Sequence, residues 1–216
     1  MHATFQDRTE AGRILAERLQ DEAGPNTLVL ALPRGGVPVA FEVAMALGAE
    51  LDILPVRKLG VPGQRELAMG AIAPGGAIYV ERDTMRAAHV TQAQFDAVLA
   101  QEQSELARRE ALYRGNRAPV QVQDGTVIVI DDGMATGSSM HAAVLALRAL
   151  RPARIVVGLP VAPVGAEADF EGIVDAFVCV MQPMLFFSVG QYYDDFRETT
   201  DDEVGQLLQR AWQRKP

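Results

Sequence analysis

Short runs of uninterrupted apolar residues alternate along this chain with stretches whose apolar positions recur every three or four residues. Residues 27–32 (TLVLAL), 51–56, 126–130, 154–159 and 176–180 form the first kind of pattern and read as buried strands. Helical spacing appears over 9–21, where Ile14, Leu15 and Leu19 share a face and Thr9 is placed to cap. Further helices are expected over 37–47, ending at Gly48, over about 138–150, and from Thr200-Asp201-Asp202-Glu203 onward, where acids suit the positive helix end. Strands apolar throughout and alternating with helices indicate an α/β fold, a parallel sheet covered on both faces.

Two segments depart from that alternation. Residues 70–80 suggest a hairpin around Pro74-Gly75-Gly76. Residues 91–114 are rich in Gln, Glu, Ala and Arg and lack Gly and Pro, which predicts one long helix ended by Gly115-Asn116. No repeat, low-complexity tract or clear linker divides the chain, so 1–216 is expected to be a single domain with 81–118 as a helical cap or insertion.

Composition narrows the function classes. A chain of 216 residues that is 49% hydrophobic and 22% charged is ordinary for a folded domain. The net charge of −8 removes a global basic footprint for nucleic acid, while a local basic pocket stays open. Cys179 is the only cysteine, which excludes an internal disulfide and a Cys-based zinc site, and its apolar setting reads as a small buried hydrophobe. His2, His89 and His141 lack ligand spacing. The N-terminus has no apolar signal region and no apolar stretch reaches 18 residues, so a cytoplasmic protein without a membrane partner is expected.

The informative segment is residues 127–140, VIVIDDGMATGSSM. It places two carboxylates at the C-terminal end of a buried strand, then a loop of small residues, then a helix start. Ligands in open α/β sheets bind beyond the carboxyl ends of strands. The loop Ala135-Thr136-Gly137-Ser138-Ser139 lets backbone N–H groups and three hydroxyls approach a phosphate, with the helix end adding positive potential. Adjacent strand residues point to opposite faces, so Asp131 and Asp132 cannot act identically. Ribose hydroxyls, with Mg²⁺, would give the acids partners beside an anion. Capping alone would also favour Asp, Thr and Ser at such a turn. The segment is neither a P-loop nor a dinucleotide fingerprint.

As a whole the segment resembles the signature of the type I phosphoribosyltransferases, which bind 5-phosphoribosyl 1-diphosphate (PRPP). The resemblance implies a Rossmann-like fold, a parallel β-sheet flanked by helices with a small hood or cap subdomain. It implies transfer of the phosphoribosyl group to a nitrogenous base or similar acceptor, with pyrophosphate released. Ala135, Thr136, Gly137, Ser138 and Ser139 would hold the 5′-phosphate, and Asp131 and Asp132 the ribose hydroxyls, with an indirect or weak part in holding the metal. Leu32-Pro33-Arg34-Gly35-Gly36 matches the family's pyrophosphate loop, whose peptide is often cis. Arg34, Gly35, Arg57 and Lys58 would bind the diphosphate, and Arg34, Asp131 and Asp132 would carry catalysis. Residues 59–76 correspond to a flexible catalytic loop, with Arg65 and Glu66 its charged residues. Residues 181–216 correspond to a C-terminal hood, in which Phe187 and Tyr192 are candidates to stack on an acceptor.

The layout is also similar to a group of uncharacterised bacterial phosphoribosyltransferase-domain proteins that begin with a Phe-x-Asp-Arg segment, here Phe5-Gln6-Asp7-Arg8. Two departures argue against an oxopurine acceptor. Ala135 stands where hypoxanthine-guanine enzymes carry Asp, and Leu159-Pro160-Val161-Ala162 lacks their Lys. The Arg108-Arg109 pair reads as a solvated helix face. A PRPP- or nucleotide-sensing regulator without turnover is the alternative function. A homodimer is left open.

Overall fold

The structure, a computed structural model, describes residues 4–115, 117–118 and 121–214; of Glu66 it describes the backbone alone. The expectations that fall on His2, Asn116 and the Glu66 side chain lie outside the described residues. Among the described residues the chain forms a five-stranded sheet in the order β2-β1-β6-β7-β8 and a three-stranded sheet in the order β3-β4-β5. The large sheet is parallel throughout and comprises β1 (Thr27–Ala31), β2 (Glu50–Ile53), β6 (Thr126–Ile130), β7 (Arg154–Val161) and β8 (Ala176–Met181).

The uninterrupted apolar runs follow from burial on both faces. Leu28, Leu30, Val127, Val129, Ile155, Val157 and Leu159 face a core closed by α5 (Ser138–Ala149). Their neighbours Val29, Ala31, Ile128, Ile130 and Val156 face a second core closed by α1 (Arg8–Arg18), α2 (Gly36–Leu47) and α6 (Asp201–Trp212). A side chain at Gly158 would start 3.1 Å from Leu19 Cδ1, so this glycine lets α1 seat against the sheet. Asp7, not Thr9, caps α1, its side chain accepting from the Glu10 amide. Cys179 is partly buried, and burial pushes its thiol up to about 11.

The second sheet corrects one expectation. Residues 59–76 are not a loop: β3 (Arg57–Val61) and β4 (Gln64–Ala73) pair antiparallel, with Val61 opposite Gln64 and Gly63 at φ +82° in the turn. Pro74-Gly75-Gly76 then leads into β5 (Ala77–Val80) as the pattern predicts. The hairpin is ordered because it has its own apolar core. Leu59, Val61, Met69 and Ile72 pack against Phe95 and Leu106 of α4 (Gln92–Arg114). Thr91 and Gln94 close a capping box at the start of α4, and the short α3 (Arg82–Ala87) precedes it. Within 181–216, α6 belongs to the main core through Val204 and Leu208, while 182–200 carries no strand. No helix among the described residues is long and apolar enough to cross a membrane.

One buried ion pair ties the α4 layer to the large sheet. Arg114, at the end of α4, donates from Nη2 to Asp52 Oδ2 at 3.1 Å and to the Ile53 carbonyl at 3.1 Å, with both ionic side chains almost fully buried. Removing one partner of such a pair typically costs about 3–5 kcal/mol, because the other charge stays in a poor solvent. Arg114→Ala is therefore expected to lower stability by about 3 kcal/mol or more, read as a shift of the urea unfolding midpoint.

Candidate active site at the ends of β1 and β6

β6 delivers Asp131 and Asp132 to the C-terminal edge of the sheet, beside Leu32, whose amide donates to the Ile130 carbonyl at 2.9 Å. The two carboxylates diverge. The Asp132 amide donates to Asp131 Oδ1 at 2.9 Å, which holds Asp131 over the strand end. Asp132 Oδ2 instead accepts two bonds from Arg8, from Nε at 2.8 Å and from Nη2 at 2.7 Å. The Tyr193 hydroxyl donates to the Asp132 carbonyl at 2.5 Å. Burial raises the Asp131 carboxyl well above the usual range, and the charge of Asp132 adds to the rise. For Asp132 burial also raises the carboxyl, opposed by Arg8.

The glycines of the Pro33-Arg34-Gly35-Gly36 loop answer to this pair. A Cβ at Gly36 would sit 2.7 Å from the Ile130 carbonyl oxygen, and one at Gly35 would land on Asp132 Oδ2. The Pro33–Arg34 peptide is cis, as the family pattern implies.

Two cavities meet at Asp131. The smaller, about 130 Å³, is lined by Asp131, the loop from Gly133 to Ser139, Met140 and Leu159. Gly137, at φ +70°, occupies the N-cap position of α5. The amides of the first helical turn have no partner within the helix. The Thr136 and Ser138 hydroxyls stand 3.2 Å apart beside them. The larger cavity, about 520 Å³, runs from Pro33 and Leu54 at the sheet edge past Arg57 and Lys58 to the β3–β4 turn. Val98, Gln101, Glu102 and Arg109 of α4 form its far wall, and Asp131 and Ser139 are shared with the smaller cavity.

A phosphoribosyl transferase domain model matches residues 6–168 of this chain. The chain belongs to the phosphoribosyl transferase domain family. Two Mycobacterium tuberculosis proteins, named "Putative phosphoribosyl transferase" Rv0571c and MT0597, are each 46% identical to it over 207 residues. The match takes in 96% of this chain and 47% of each relative, so the chain spans about half the length of the curated relatives it matches. The crystal structure of TT1426 from Thermus thermophilus superposes with a TM-score of 0.88 at 39% identity, covering 96% of this chain and 98% of that one.

Within the phosphoribosyl transferase domain the residues expected from the sequence divide into three groups. Ala135, Thr136, Gly137, Ser138, Ser139 and Asp131 line the small cavity together, and Arg57, Lys58, Asp131 and Ser139 line the large one. Arg57 is paired with Glu102 of α4 at 2.6 Å. Arg34, Gly35 and Asp132 are adjacent to these cavities but line neither of them. Arg34 pairs with Glu198 and stands 3.6 Å from Asp201, whose Oδ1 accepts from the Tyr113 hydroxyl at 2.6 Å. Burial and this hydrogen bond push the Tyr113 hydroxyl up to about 12.

The acceptor candidates separate. Phe187 is 85% exposed on the 182–188 segment, whereas Tyr192 is 3% exposed, stacked on Phe186 and bonded through its hydroxyl to the Leu185 carbonyl at 2.6 Å. With no free face, Tyr192 is a packing residue, which corrects its assignment to an acceptor. Arg109 is also reassigned. It lines the large cavity, held by Glu105 at 3.0 Å, because α4 lies across the hairpin instead of standing free. Arg8 carried only the signal of its Phe5-Gln6-Asp7-Arg8 segment.

A carboxyl whose folded pKa is raised disfavours folding more as pH climbs, because the unfolded chain ionises it freely. The cost is absent below the ordinary carboxylate pKa and grows up to the raised folded value. Asp131→Asn keeps an acceptor for the Asp132 amide and removes the charge. It is expected to raise the melting temperature at pH 8, by about 2–4 °C per kcal/mol relieved, with the gain shrinking toward pH 4. Differential scanning calorimetry across that range checks it.

Proposed function

We propose that this chain binds PRPP and transfers its phosphoribosyl group to a nitrogen nucleophile, releasing pyrophosphate. One observation carries the reading. A phosphate-sized pocket at a helix N-terminus and a larger cleft bearing cations share Asp131 and Ser139. PRPP has the same sequence of parts, a phosphate, a ribose and a diphosphate.

In this reading the amides at the start of α5, with the Thr136, Ser138 and Ser139 hydroxyls, hold the 5′-phosphate. Asp131 accepts from the ribose hydroxyls. Lys58, which makes no ion pair among the described residues, faces the diphosphate, and Arg57 and Arg109 face it from beside their carboxylate partners. The bond from C1 of the ribose to the diphosphate oxygen breaks and a bond from C1 to the acceptor nitrogen forms. The proton on that nitrogen is released to solvent or to the departing diphosphate. Charge develops on the leaving group, so fixed cations there act where the transition state needs them. The hairpin and α4 border the cleft, so that a bound ligand between them would be shielded from water that could capture an oxocarbenium-like state.

Among the described residues no group of three or more His, Cys, Asp or Glu side chains could hold an ion, and Asp132 is taken by Arg8. In this reading Mg²⁺ arrives with the substrate, as the magnesium complex of PRPP, and neutralises diphosphate charge that the protein would otherwise have to offset. The acceptor is not expected to be an oxopurine. Ala135 offers no side-chain hydrogen bond, and Val161 and Ala162 are fully buried where a reading Lys would stand. Phe187 remains the aromatic open to an acceptor.

Calorimetric titration of PRPP is expected to give binding in the micromolar range that weakens at least tenfold without Mg²⁺, and Asp131→Asn is expected to weaken it by about tenfold or more, the loss of about 1.4 kcal/mol. Absence of PRPP binding by the folded wild-type chain would falsify the reading. A panel of nucleobases and amines scored by pyrophosphate release then separates a transferase from a PRPP sensor.

A further inference from the structure

Arg8 lies 124 positions from Asp132 in the chain, yet its guanidinium bonds directly to that carboxylate. Nε and Nη2 both reach Asp132 Oδ2, and Nη1 donates to the Arg197 carbonyl at 2.7 Å. The guanidinium carbon sits 4.0 Å from the centre of the Phe196 ring, and the Arg8 side chain is only 12% exposed. The approach is set by the segment before it. The Phe5 amide donates to the Tyr192 carbonyl at 2.8 Å, the Asp194 and Asp195 amides donate to the Phe5 and Gln6 carbonyls, and Asp7 caps α1 so that Arg8 is its first residue. Gly35 lies against the same carboxylate oxygen, with no room for a Cβ between them. Asp132 thus has one orientation, and it lines neither cavity, whereas Asp131 lines both.

We propose that Arg8 is a positioning residue of the phosphoribosyl site, turning Asp132 away from the cleft and cancelling its charge so that Asp131 alone meets the ribose. This inference rests on the PRPP reading above. Two adjacent carboxylates beside a phosphate and a diphosphate would repel the ligand, and poor solvation at the strand end would strengthen that repulsion. One fixed cation on the outer acid removes half of the problem without occupying the cleft. A planar guanidinium suits the task because two of its N–H groups meet one oxygen while a third is anchored on the Arg197 carbonyl.

PRPP titration by calorimetry at constant Mg²⁺, with a thermal melt of each protein, separates the possibilities. The proteins are wild type, Arg8→Ala, Arg8→Lys, Asp132→Asn and the Arg8→Ala/Asp132→Asn double variant. Arg8→Ala is expected to weaken PRPP binding about tenfold, and Arg8→Lys, which keeps the charge, to recover part of the loss. The double variant is expected to bind as well as Asp132→Asn alone, because the charge that Arg8 cancels is gone. Should Arg8→Ala fail to fold, the lysine and double variants still decide. Wild-type affinity in Arg8→Ala, or a double variant weaker than Asp132→Asn by the full Arg8→Ala factor, overturns the inference while leaving PRPP binding in place. A wild-type chain that binds no PRPP overturns both readings together.

Discussion

Two adjacent carboxylates stand at the end of a strand with no exposed face, and the surrounding structure answers their charge. Burial of an ionised group is costly unless it is paired. Among the described residues, Asp132 alone of the two has an ionic partner. Arg8, Gly35 and the Tyr193 hydroxyl converge on Asp132, from α1, from the loop before α2, and from the C-terminal segment. Among the described residues Asp131 accepts from one backbone amide, and its carboxyl is held above its ordinary range. A residue left in that state is a candidate for function, since its missing partners are ones a ligand can supply.

The parallel sheet makes the site available. β1 and β6 end side by side, so the loop before α2 and the loop before α5 open at one edge. The helix that follows β6 presents unbonded amides to the same point. The three-stranded sheet and α4 then add what the sheet edge lacks. Lys58, Arg57 and Arg109 reach the cleft from elements outside the parallel sheet. The buried Arg114–Asp52 pair joins the end of α4 to β2.

The hairpin, α4 and the C-terminal segment are where local pattern misled. Residues 59–76 read as a flexible loop, yet Leu59, Val61, Met69 and Ile72 give the hairpin an apolar face that α4 covers. Arg109 read as solvated for the same reason, since a helix considered alone shows no neighbour. Tyr192 read as a flat surface for an acceptor, while its ring serves the packing of the 182–193 segment.

By itself the amino-acid sequence determined the alternation of buried strands and helices, the family, and the loop Ala135–Ser139 with Asp131 at its head. Each of these is encoded within a few neighbouring residues, through side-chain periodicity, small residues at a helix start and acids at a strand end. Only the tertiary structure decided which acid faces the cleft, where Arg34 points, and which cations line it. Those outcomes depend on Arg8 meeting Asp132 and on Arg34 meeting Glu198 and Asp201, contacts between residues more than a hundred positions apart. Their energy comes from charges brought out of water together, and no local pattern records which charges will meet.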